Sequence, residues 1–127
     1  MARERVKRYE SAGISKNRYL ELKSIARQYD ELHEKAAKLK RGELDRAGRL
    51  GGDPTGETAI DRTMRDPERK IRAIEEAARS AGADLYPWLM RCVTRGEKHE
   101  HMHPPIGRAQ FYQLRRLFFL ELDKRLP

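Results

Sequence analysis

The sequence predicts an all-α fold: a long N-terminal amphipathic helix plus a C-terminal three- to four-helix bundle containing a helix-turn-helix. Three observations predict it. Apolar residues recur at spacings of three and four in several segments. Charged residues make up 38% of the chain, well above the usual quarter, so the 38% that are apolar must gather on narrow faces. β-branched residues are few and scattered, and no alternating apolar run marks a strand.

Residues 1–11 mix Arg, Lys and Glu with few apolar side chains, which predicts a basic arm or a frayed helix. Gly13 interrupts it. Ser15 is placed to cap a helix, and periodicity begins just after it. Leu22, Ile25, Tyr29, Leu32, Ala36 and Leu39 form a stripe that Tyr19 and Ala26 widen. The spacing predicts one helix over Ser15–Arg41. Its stripe fits either a homodimer seam or packing on the C-terminal domain.

Residues 42–65 carry Gly42, Gly48, Gly51, Gly52, Pro54 and Gly56, the chemistry of a linker. Glu57–Met64 is expected to recover a helical turn. The glycines match no phosphate-binding loop, since no GxxxxGK[ST] occurs. The chain thus divides into an arm and long helix over 1–41, a Gly-rich linker over 42–65 and a domain over 66–127.

Asp66-Pro67 is expected to open the next helix, with Asp as cap and Pro in the first position. Ile71, Ile74, Ala77 and Ala78 are its apolar stripe, and Ala81-Gly82 ends it. A further helix runs from Ala83-Asp84 to about Thr94, with Leu85, Trp88, Leu89, Cys92 and Val93 on one side. Gly96 stops it. Lys98–Met102 makes a single turn, and Pro104-Pro105 enforces an extended elbow.

The last helix runs from Gly107 to about Leu126. Phe111, Leu114, Phe118 and Leu122 fall on one side and should face the core. Ala109, Tyr112, Gln113, Arg116, Leu120 and Lys124 fall opposite, with Arg108 at the entry. Leu117, Phe119 and Leu120 make the helix apolar on a second side as well. Small, amide and Arg side chains in the first turns are what major-groove reading requires: Arg bonds guanine edges, Gln bonds adenine. Arg108, Ala109, Tyr112, Gln113 and Arg116 are therefore the candidates for base contact. Arg95, Lys98, Arg115 and Lys124 are the candidates for phosphate contact.

The bulk charge agrees. There are 28 Lys plus Arg against 20 Asp plus Glu, a net charge of +8, which favours a polyanionic partner. Cys92 is the single cysteine, so no internal disulfide forms. No apolar run approaches the ~20 residues that span a bilayer. The basic N-terminus is followed by no apolar signal core.

The stretch from Leu85 to about Leu122 resembles the helix-turn-helix of phage and prophage late-transcription regulators of the ArpU/RinA type, which are similar to the promoter-reading fourth region of sigma factors. The carrying residues are Gly96-Glu97-Lys98-His99-Glu100, then Ile106-Gly107-Arg108-Ala109-Gln110-Phe111-Tyr112-Gln113-Leu114-Arg115-Arg116. The wider pattern, ending GRxxFYxxRRxFF, resembles small prophage proteins of Gram-positive bacteria. Two prolines in the turn and a scaffold helix reduced to about His99–Met102 depart from the sigma-like pattern. The resemblance implies sequence-specific binding of double-stranded DNA in the cytoplasm of a bacterial host cell, alongside RNA polymerase or another host protein.

Other chemistry is weaker. His99, His101 and His103 alternate, without a CxxC or HExxH, and read as a polar turn able to touch phosphate when protonated rather than as a metal site. Cys92 on an apolar face reads as a buried thiol and Trp88 as core. Tyr86, Trp88 and Tyr112 are alternatively stacking platforms for unpaired bases. No metal, cofactor or catalytic residue is expected, so the protein is not read as an enzyme. Two rival functions remain: a small protein-binding inhibitor of a host nuclease or defence system, of the anti-CRISPR kind, and a small terminase-like packaging subunit.

Overall fold

Helices make up most of the described chain. The computed structural model describes residues 13–50 and 59–127, with side chains described within 13–42 and 66–127. Among the described residues there are six α-helices and no strand: α1 (Lys16–Arg27), α2 (Tyr29–Leu50), α3 (Ala59–Gly82), α4 (Tyr86–Arg95), α5 (His99–Met102) and α6 (Arg108–Arg125). A 3₁₀ turn, Ala83–Leu85, joins α3 to α4. No helix among the described residues is long and apolar enough to cross a membrane. The basic arm expected over residues 1–11 lies outside the described residues.

Three boundaries differ from the periodicity reading. The expected Ser15–Arg41 helix is two helices. Ser15 caps the first as expected, its Oγ accepting from the Arg18 N–H at 3.1 Å. At Gln28 the backbone leaves helical geometry, with its N–H bonded to Ile25 O at 3.0 Å. No Gly or Pro marks this break, so the stripe runs through it unbroken. The second helix then continues past Arg41 to Leu50, and α3 already begins at Ala59. The linker expected over 42–65 is thereby helical at both ends. Its middle, 51–58, lies outside the described residues. Third, Pro67 does not open a helix but falls inside α3. It lacks the N–H that would bond four residues back, and the helix continues through it. Asp66 pairs with Lys70 at 3.3 Å, one turn on.

α6 is the axis of the bundle. It packs most heavily on α3 and also touches α1, α4 and α5, while α2 packs on α3. Phe111, Phe118, Phe119 and Leu122 of α6 are fully buried with Leu22 of α1, Ile74 of α3, and Leu89 and Val93 of α4. α3 and α6 approach closely at Gly82, where an added Cβ would lie 3.2 Å from a Leu114 methyl carbon. The stripe of α1 and α2 is spent within the chain: Leu22, Ala26, Leu32 and Ala36 are all buried. Ile25, Tyr29 and Leu39 of the same stripe are half-buried.

Polar ties fix the periphery. Arg18 Nε donates to Asp123 Oδ1 at 2.6 Å, and Nη2 donates to the Leu126 carbonyl at 2.7 Å. This clamps the start of α1 to the end of α6, and the Asp123 bond makes the guanidinium hold its proton more tightly than usual. The Tyr29 hydroxyl donates to Glu75 Oε2 at 2.9 Å, joining α2 to α3. Burial first, then Glu75, push that phenol well above its ordinary range.

Candidate nucleic-acid interface

The entry to α6 is built by a short, closed turn. Gly96 ends α4 in the left-handed region at φ 73°, a conformation that favours glycine, and its N–H bonds to Cys92 O at 2.9 Å. Arg91 donates twice to the Glu97 carboxylate, at 2.6 and 3.0 Å, and holds that carboxyl below the usual range. α5 is one turn long. The His99 ring nitrogen Nε2 lies 2.9 Å from Ile106 O, so that a proton on Nε2 donates across the elbow. The same ring stands 5.6 Å from Phe111. His103 closes α5 at φ 53°. His99 is thus a brace for the elbow, whereas His101 and His103 are exposed. Among the described residues no group of three or more His, Cys, Asp or Glu side chains is placed to hold a metal ion.

Gly107 offers no side-chain cap, and Arg108, Ala109 and Gln110 follow it exposed to solvent. Of the predicted base-contact set, Arg108, Ala109 and Gln113 are exposed, and Tyr112 and Arg116 are half-buried. The Arg108 guanidinium lies over the Tyr112 ring, 5.7 Å from its centroid. Among the described residues no ion pair engages Arg108 or Arg116. No Asp or Glu occurs between Gly107 and Leu120, so the strip carries no acidic residue of its own. The opposite side of the helix is the core side, as the spacing predicts: Phe111, Phe118 and Leu122 are buried, and Leu114 packs partly buried against them.

The predicted phosphate-contact set divides. Lys98 is exposed beside the turn. Arg95 is exposed and faces Asp30 at 3.6 Å. Lys124 is exposed at the far end and faces Glu121 at 3.4 Å. Arg115 is different. It is only 8% exposed, donates to the Tyr19 hydroxyl at 3.3 Å and lies over the Phe119 ring at 4.9 Å. It does not stand on the outer strip, because α6 is buried on two sides and Arg115 shares the second with Phe119. Phe119 in turn meets Tyr19 edge-on, with centroids 5.4 Å apart.

The sequence reading missed Lys23 and Arg27 of α1. Both border a cleft beside the α6 entry, with Lys98, Arg108, Tyr112 and Arg115. Their i,i+4 spacing places them on one helix face. Nothing in the local sequence says that this face meets Arg108, 81 residues further on. Cys92 is buried, and its helix presents Trp88 partly buried against the core. No protein-family model, curated protein or solved structure matches this chain.

Proposed function

We propose that the protein binds double-stranded DNA in a sequence-specific way, with the N-terminal half of α6 entering the major groove, and that it regulates transcription for a phage or prophage. One observation carries this reading: a strip on which Arg108, Ala109 and Gln113 are exposed and Arg116 is half-buried lies at the entry of a helix that is buried on two other sides. Packing on four neighbouring helices holds the helix rigid, as a reading helix must be held. The strip pairs fork-shaped and amide donors with a small residue that lets the backbone approach, the set that distinguishes base edges. The net charge of +8 supplies the sequence-independent attraction to phosphates. The resemblance of the Gly96–Arg116 stretch to late-transcription regulators points the same way. Arg108 and Arg116 would reach guanine edges, Gln113 adenine, and Lys98 and Arg95 the flanking phosphates.

The test is selection of a site from random duplexes, followed by affinity measurements across a salt series. The log–log slope is expected near −0.9 per phosphate contacted. Arg116→Ala is expected to cost about 1–3 kcal/mol on the selected site and to relax preference at one base position. Absence of any duplex complex at low salt overturns the reading and leaves a protein-binding role in its place.

A further inference from the structure

We propose that the cleft between α1, the α4–α5 turn and the entry of α6 is a binding site for a phosphate group. The cleft has a volume of about 240 Å³. Five cations from three separated stretches border it: Lys23 and Arg27 of α1, Lys98 of the turn, and Arg108 and Arg115 of α6. Among the described residues, Glu97 and Glu100 are the acidic side chains on its wall. Glu97 is already held by Arg91 through two hydrogen bonds. Among the described residues, cations thus outnumber carboxylates on the wall.

Such a gathering has a cost. Like charges held near one another at the edge of a protein repel, and a fold with water available around it gains nothing by collecting them. Among the described residues no ion pair offsets Lys23, Arg27, Lys98 or Arg108. Nor are the positions accidental. Arg115 is only 8% exposed, so its guanidinium forms a fixed floor rather than a free surface arm. Arg27 lies directly over Gly96, where an added Cβ would come within 2.6 Å of its Cζ atom. A side chain at position 96 would push that guanidinium aside, so the glycine serves both the left-handed backbone and the placement of Arg27.

The donor chemistry selects the ligand. Guanidinium forks and ammonium groups around a polar cleft match a tetrahedral oxyanion, whose oxygens accept from several directions at once. Phosphate fits this description in two forms, the monoester of a free ligand and the diester of a nucleic-acid backbone. Phosphate capture here does not require that α6 reads base edges.

Calorimetric titration of the full chain at fixed chloride ionic strength, with inorganic phosphate, a deoxynucleoside monophosphate and dimethyl phosphate, tests the site. Saturable binding of one phosphate per chain is expected. Arg27→Ala and Lys23→Ala should each weaken it about tenfold or more, while Lys38→Ala on the exposed face of α2 leaves it unchanged. Circular dichroism of the same samples confirms that the variants fold, and Arg27→Lys, which keeps the charge without the fork, should fall between wild type and Arg27→Ala. Binding of inorganic phosphate or the monophosphate without the diester assigns the cleft to a free phosphate ligand; binding of the diester assigns it to a backbone phosphate. Absence of saturable binding by all three, or binding that Arg27→Ala and Lys23→Ala leave intact, overturns the proposal. A duplex complex that survives in that case shows the site to be wrong while the groove reading stands.

Discussion

The two halves of α6 do opposite things with the same helical geometry. From Arg115 onward the helix is enclosed on two sides: Phe118 and Leu122 face one way, Phe119 and Arg115 another, and Arg18 clamps its end through Asp123 and the Leu126 carbonyl. From Gly107 to Gln113 the residues are mostly exposed, and Phe111 alone is fully buried. A helix can display polar side chains in a fixed direction only if something else holds it, and the second half is what holds the first. Stability and recognition are thereby separated along one element. Substitutions in the two halves should register in different measurements.

The largest effect is expected at the anchored end. Phe118→Ala removes a side chain with no solvent exposure and leaves a cavity between α6 and its neighbours. Unfolding free energy should fall by about 3–5 kcal/mol. Against the ~5–15 kcal/mol typical of a domain, that is a large share of the total. Urea titration followed by circular dichroism measures it. A loss below about 1 kcal/mol would mean that the second half does not anchor the helix, and the contrast between the halves would collapse.

Arg18→Ala tests the clamp rather than the core. Its guanidinium makes bonds of 2.6 and 2.7 Å to Asp123 and the Leu126 carbonyl, and its side chain is 20% exposed. Hydrogen bonds to a charged group contribute more than neutral ones, but water still screens this one in part. A loss of about 1–2 kcal/mol is expected in the same titration, with faster amide exchange concentrated at the end of α6. Uniform exchange along α6 would show that the clamp is not what secures that end.

This division also explains what the sequence disclosed. Phe111, Phe118 and Leu122 were legible as the buried face because a spacing of three and four survives in any helix. Arg115 was not legible as an interior residue. A helix enclosed on two sides loses the clean two-faced pattern, and an arginine on a wheel looks like surface. The break at Gln28 was silent for a related reason: the chain bends there through backbone bonds alone, with no Gly or Pro as a marker. The cationic cleft lay beyond local reasoning altogether. Lys23 and Arg27 meet Arg108 and Arg115 only because α1 and α6 pack together, a contact that includes Tyr19 edge-on against Phe119, with Leu22 buried in the same core.

The smallest stability effect is expected where the functional effect should be largest. Gln113 is exposed, and among the described residues its side chain makes no hydrogen bond. Gln113→Ala removes nothing from the core, and alanine is at least as good a helix former. Its unfolding free energy should stay within about 0.5 kcal/mol of the parent. If Gln113 bonds an adenine edge, affinity for the selected duplex should nonetheless fall by about 1–3 kcal/mol, with the preference for adenine lost at one position. The pair of measurements discriminates more sharply than either alone. An unchanged fold with unchanged duplex affinity would remove Gln113 from the reading face. A destabilised fold would mean that the open half of α6 is held by contacts of its own, and that anchoring and display are not divided along the helix.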